Sequence, residues 1–168
     1  MRVTIRRVAA DDWRELKRVR LAALATDRVA FGSTLEAETA FGDEVWIERA
    51  RESATSDHRV TWVACADDGR MLGMLGAHIE ERGASLFGMW VDPAARGAGV
   101  GGKMLDALLG WLEVRHPAAP ISLSVNPTLG AAVRLYESRG FASTGASTAI
   151  VHTPGARCAE MVRRRSIS

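Results

Sequence analysis

Cysteine is scarce: Cys65 and Cys158 are the only two among 168 residues, and they form no C-x-x-C pair. That excludes a disulfide-built scaffold and a cysteine-ligated metal centre, and it fits a reducing, cytoplasmic setting. No apolar run approaches the roughly 20 residues that a membrane-crossing helix needs. The opening Met1-Arg2-Val3-Thr4-Ile5-Arg6-Arg7 also lacks the apolar stretch of a secretory signal. Surplus charge of either sign is missing, since 22 Lys and Arg against 20 Asp and Glu leave a net +2. Such a balance argues against a nucleic-acid or membrane partner, even with a pI of about 8.8. Repeats and low-complexity tracts are absent, and tyrosine occurs once, at position 136.

What remains is ordinary globular material. Hydrophobic residues make up 47% and charged residues 25%, enough to build a core, and the length fits one domain over residues 1–168. Val3 and Ile5 alternate with polar neighbours as a strand; Trp13, Leu16, Val19/Arg20 and Leu24 then recur at helical spacing. Residues 26–42 lose any period and predict a long loop, followed by a helix over 43–51. Residues 59–66, 71–81 and 84–91 alternate as three strands, with Asp-Gly and Arg-Gly turns between them. Residues 100–115 carry an apolar helical stripe, and 121–125 alternate again as a strand. Asn126 predicts a helix N-cap with Pro127 at the first helical position, and Gly140 predicts the stop. A last strand region starts at Phe141, and Arg163-Arg164-Arg165 reads as a solvated strand end. The order predicts the α+β class: an antiparallel meander joined to a parallel strand–helix–strand unit in one mixed sheet.

The strongest chemical signal is Val91-Asp92-Pro93-Ala94-Ala95-Arg96-Gly97-Ala98-Gly99-Val100-Gly101-Gly102-Lys103, between a strand and an amphipathic helix. Glycines let a ligand approach the backbone, while free N–H groups and the positive end of the helix dipole attract an anion. Arg96 can add charge-assisted hydrogen bonds to a phosphate. Gly97, Gly99 and Gly102 satisfy G-x-G-x-x-G, but the strand 121–125 brings no acid for a ribose, so the dinucleotide reading fails. Gly97 to Lys103 also satisfies the start of a P-loop, but Met104 stands where a magnesium-binding hydroxyl is needed. The nucleotide-triphosphatase reading falls too.

Val91, Pro93, Arg96, Gly97, Gly99 and Gly101 fill every fixed position of V-x-P-x-x-R-G-x-G-x-G, so the segment resembles the acetyl-CoA-binding motif of the GNAT N-acetyltransferase superfamily. Asn126, Ala131-Ala132, Leu135-Tyr136 and Gly140-Phe141 resemble that family's N-x-x-A-x-x-L-Y-x-x-x-G-F signature. The resemblance implies the GNAT fold, a mixed and mostly antiparallel central sheet with helices on both faces. It implies acetyl transfer from acetyl-CoA to a primary amine of a small molecule or peptide by direct attack, with CoA as product and no metal. Arg96, Gly97, Ala98, Gly99, Val100, Gly101, Gly102 and Lys103 would hold the diphosphate. The main chain of Met89, Trp90 and Val91, with Asn126, would hold the pantetheine arm. Tyr136 would give its proton to the leaving thiolate.

The general base is open. The strand before the turn reads Ser85-Leu86-Phe87-Gly88-Met89 and offers no carboxylate, leaving Glu80, Glu36, then His78, or a water chain. Phe31, Ser33, Thr34 and Glu36 are the candidates to line the acceptor site, and a homodimer is compatible with the fold. Two other functions compete: a non-catalytic acyl-CoA sensor on the same fold, and a nucleotide-binding protein with a degenerate phosphate loop.

Overall fold

Alternating apolar side chains set up the meander, and the computed structural model, which describes residues 1–164, places it on one side of a seven-stranded sheet. Strands β1 (Val3–Arg7), β2 (Arg59–Ala66), β3 (Met71–Glu80) and β4 (Gly83–Val91) run antiparallel in sequence order. Strand β5 (Ile121–Val125) joins β4 in parallel. Strand β7 (Arg157–Arg163) then pairs antiparallel with β5 and with the edge strand β6 (Ala142–Ala149).

Helices cover both faces. On one, α4 (Val100–Arg115) lays Met104, Leu105, Leu108 and Leu112 against Val60, Ala64, Leu75 and Ala77 of the sheet. Each such leucine contributes about 1.5–3 kcal/mol by leaving water. On the other, α1 (Trp13–Thr26) and α3 (Asp43–Thr55) bury Leu16, Val19, Leu24 and Ala50 against Val63, Met71 and Met74. Both faces of β2 are therefore buried, Val60 on one side and Val63 on the other. No helix among the described residues is long and apolar enough to cross a membrane.

Three sequence expectations need correction. Residues 26–42 are not a plain loop: a 3₁₀ turn (Arg28–Ala30) and a short helix, α2 (Leu35–Thr39), lie within them. Five residues are too few to show a period, and the start comes from Thr34, whose hydroxyl accepts the Ala37 N–H at 3.2 Å. Asn126 is no N-cap. Its side-chain oxygen accepts the Thr128 N–H at 3.0 Å and the Thr128 hydroxyl at 2.8 Å. That local turn delays helix α5 (Gly130–Glu137), so Pro127 lies outside it. Arg163 is not solvated either: it donates to the Arg139 carbonyl at 2.8 Å and to Glu113 at 3.0 Å. Arg165 lies outside the described residues.

Candidate active site

The sheet comes apart at its parallel pair. Strands β4 and β5 are paired only at Ala84↔Ile121 and Ser85↔Ser122, and diverge beyond them. On its other edge β4 bulges. Between the pairs Gly76↔Phe87 and Met74↔Trp90, Leu75 alone faces both Gly88 and Met89. Gly88 has φ +68°, a conformation that a residue with a Cβ adopts only with strain. A bulge leaves its extra residue out of the ladder, so backbone at this point is available to a ligand.

Three cavities meet at Phe87 and Gly88. One, about 70 Å³, lies between β4, β5 and α5 and touches Met89, Leu123, Asn126, Ala132 and Tyr136. A second, an open groove of about 540 Å³, runs past Phe31, Ser122, Ile150 and Cys158. The third, about 250 Å³, opens on the α1 and α3 side, between Leu16, Trp46, Arg59, Met74 and His78.

Tyr136 is buried, with its ring edge against Phe141 at 5.8 Å between centroids. Burial pushes the phenol well above its ordinary value, so it is protonated at every physiological pH. Its hydroxyl makes no side-chain hydrogen bond among the described residues.

The glycine turn follows directly from β4. Asp92 accepts the Ala94 N–H at 2.9 Å and opens a 3₁₀ turn at Pro93–Ala95. Gly97 and Gly99 then take φ of +82° and +75°, facing open space. In α4 the Lys103 N–H bonds the Gly99 carbonyl at 3.0 Å, so the N–H groups of Val100, Gly101 and Gly102 precede the first intrahelical bond. Arg96 stands beside them, donating to the Val91 carbonyl at 2.8 Å and to Asp27 at 2.6 Å. Asp27 also accepts the Trp90 indole N–H at 2.7 Å, and the Trp90 side chain is otherwise in the core. Burial opposes ionisation of Asp27, but bonds from Arg96, Thr26 and Trp90 outweigh it and hold its carboxyl below the usual range.

Sequence reasoning missed most of the third cavity. Arg20 from α1 grips the buried Glu38 with two bonds of 2.8 and 3.1 Å, and Arg49 from α3 adds one of 3.2 Å. Burial opposes the Glu38 charge, yet Arg20 and Arg49 keep its carboxyl below the usual range. Arg59 lies over the Phe87 ring at 5.3 Å, and His78 stacks on that ring at 4.4 Å. Burial, then the Arg59 charge, lowers the His78 pKa from its ordinary 6.5, leaving a neutral imidazole at pH 7. The hints in the sequence were His78, already a candidate base, and Arg20, which falls on the inward stripe of its helix.

The remaining candidates scatter. Phe31 is buried in the wall of the groove under Arg20, and its carbonyl accepts the His152 Nε2–H at 2.6 Å. Ser33 lies beside the Glu38 carboxylate. Thr34 is occupied as a helix cap. Glu36 is exposed and faces Arg28 at 3.7 Å, lining none of the three cavities. Glu80 pairs with Gly83 at the C-terminal end of β3, away from the mid-strand bulge, and is exposed; it lines none of the three cavities that meet at Gly88. Among the described residues no group of three or more His, Cys, Asp or Glu could hold a metal ion.

A mixed sheet that parts at its one parallel pair, with a glycine turn and helix start at the mouth of the gap, defines the class: the acetyltransferase fold of the GNAT type. Residues 22–141 match the model of the Acetyltransferase (GNAT) family, and the chain belongs to that family. Among solved structures it is similar to an acetyltransferase of the GNAT family from Streptococcus pneumoniae, at 21% identity and a TM-score of 0.83, covering 98% of this chain and 100% of that one. It is also similar to a phosphinothricin acetyltransferase from Sinorhizobium meliloti, in complex with acetyl-CoA, at 20% identity and a TM-score of 0.77, covering 98% and 89%. A putative acetyltransferase from Salmonella typhimurium with acetyl-CoA matches at 17% identity and a TM-score of 0.77, covering 100% and 96%. Among curated proteins, none matches this chain.

Proposed function

We propose that this chain transfers an acetyl group from acetyl-CoA to a primary amine by direct attack, with donor and acceptor bound together. The carrying observation is the junction at Phe87 and Gly88, where a strand gap, a buried phenol and an acceptor-sized cavity converge on one bulge. The residues present fit the donor. The N–H groups of Val100, Gly101 and Gly102 with Arg96 form an anion site at the mouth of the gap, and the divergence of β4 from β5 leaves an extended slot beside it. Acetyl-CoA supplies the acyl group as a thioester, whose carbonyl carbon an amine attacks.

Arg96 and the helix start hold the diphosphate, and the main chain of Met89, Trp90 and Val91 lines the arm. Asn126 commits its side-chain oxygen to Thr128, which leaves its NH₂ to donate to the arm. Backbone at Gly88–Met89 polarises the thioester carbonyl, an arrangement that costs no reorganisation during reaction. The amine nitrogen forms the new C–N bond and the C–S bond breaks. His78 takes the proton from the amine, and Tyr136 gives one to the departing thiolate. His78 replaces Glu80 and Glu36 as the base because it alone of the three lines a cavity that reaches Gly88.

Thermal unfolding with acetyl-CoA, CoA, ATP and NAD tests the binding half: at about 100 Kd a ligand adds roughly 2.7 kcal/mol of stability. Stabilisation by ATP or NAD but not by acetyl-CoA refutes the reading. Thiol release with a panel of amines tests the transfer, and its absence with every amine would leave a sensor.

A further inference from the structure

The 250 Å³ cavity has an unusual charge pattern for a site that accepts amines. Three arginines line it, Arg20, Arg49 and Arg59, and no carboxylate does. The acids nearby are already engaged: Glu38 behind Arg20 and Arg49, and the half-exposed Glu52 at 3.8 Å from the Arg59 Nη1. Two donors on its walls are buried with no hydrogen-bond partner among the described residues, Arg59 Nε and Trp46 Nε1. A buried donor left unpaired costs roughly 1–3 kcal/mol, so such groups call for a partner.

The guanidinium groups are held in place. Arg49 lies over the Trp46 ring at 4.9 Å and over Phe41 at 5.1 Å, while Arg59 lies over Phe87 at 5.3 Å. Since Nη1 is the Arg59 atom that faces Glu52, its Nε edge remains, and that edge is the side of the fork suited to a bidentate carboxylate. Burial lowers the Arg59 pKa, and the charge of Arg49 lowers it further, a cost that an anion between them removes. Leu16, Met74 and Phe87 supply apolar walls. A polyamine would meet like charge here, with no carboxylate to bind its second ammonium.

We infer that the acceptor is a small amino acid-like molecule, an amine that also carries a carboxylate, with the carboxylate held by Arg59 and Arg49 and the amine directed to Gly88. This rests on the acetyl-transfer reading above and narrows its acceptor. The cavity is smaller than the roughly 300–1,000 Å³ typical of drug-sized ligands, which suits a compact acid with an apolar side chain.

Calorimetric titration of the CoA-saturated protein with L-leucine and L-phenylalanine, against leucinamide, phenylalaninamide and spermidine, tests it without needing turnover. In the unmodified protein at least one acid binds about 10–100-fold more tightly than its amide, the range expected for hydrogen bonds to a charged group. Arg59→Gln brings that acid-to-amide ratio close to one, while Arg59→Lys keeps part of it. Equal binding of acid and amide, tighter binding of spermidine, no acid binding, or a ratio that survives Arg59→Gln each overturns the inference. Thiol release measured beside the titration separates the two levels: protein that binds CoA and acetylates amides or spermidine but not acids loses this inference alone. Protein that binds neither CoA nor acetyl-CoA loses the acetyl-transfer reading.

Discussion

In the proposed transfer, Tyr136 and His78 divide the proton chemistry between them because their surroundings push them apart. Burial keeps the phenol protonated, while burial and Arg59 keep the imidazole neutral, so an acid and a base coexist at pH 7. Tyr136→Phe removes only the proton donor, and its ring contact with Phe141 survives. Steady-state kinetics should then show kcat down by about 10²-fold or more, the usual contribution of a positioned acid, with an unchanged KM for acetyl-CoA and an unchanged melting temperature. Equal turnover in the two proteins removes Tyr136 from the mechanism. For His78, an NMR titration of its ring protons should give an inflection below the ordinary 6.5. His78→Gln should lower kcat while leaving donor affinity intact, and unaltered kcat would return the role of base to solvent.

At the scale of single elements, the proposed donor site rests on the glycine turn and the bulge. Gly99 begins α4 at φ +75° with open space around it, so a larger residue meets a conformational cost and not a clash. Gly99→Ala should cost about 1–2 kcal/mol where the left-handed conformation is kept, or else turn the first N–H groups of α4 away. Either way acetyl-CoA binding weakens about tenfold by calorimetry, while a normal Kd would place the diphosphate elsewhere. The turn was legible in the sequence because its chemistry is contiguous, thirteen residues that carry glycine, arginine and helix start together. Helix α2 was not, since five residues show no period. Asn126 misled because the same side chain that caps helices also closes local turns, and here Thr128 captured it.

Across the whole molecule, acid lability follows from the buried Glu38. Its folded pKa lies below the unfolded 4.5, so the unfolded chain takes up protons first as pH falls. The stability it contributes is complete above about pH 4.5 and disappears as pH drops through the lower folded value, with Asp12 and Asp27 adding in the same direction. Urea unfolding from pH 7 to 3 should show this loss. Glu38→Gln, which strands Arg20 and Arg49, should cost about 3–5 kcal/mol at pH 7 and flatten the acid limb; a variant as stable as the parent contradicts the assignment. The order of the strands and longer helices, the α+β class, the glycine turn and the lone phenol were determined by the sequence itself, because periodicity and turn chemistry act over neighbouring residues. The cavity proposed to take the acceptor was decided only by the tertiary structure. Arg20, Arg49, Arg59 and His78 come from four elements, and nothing local marks them as partners until helices on one face of the sheet bring their charges together.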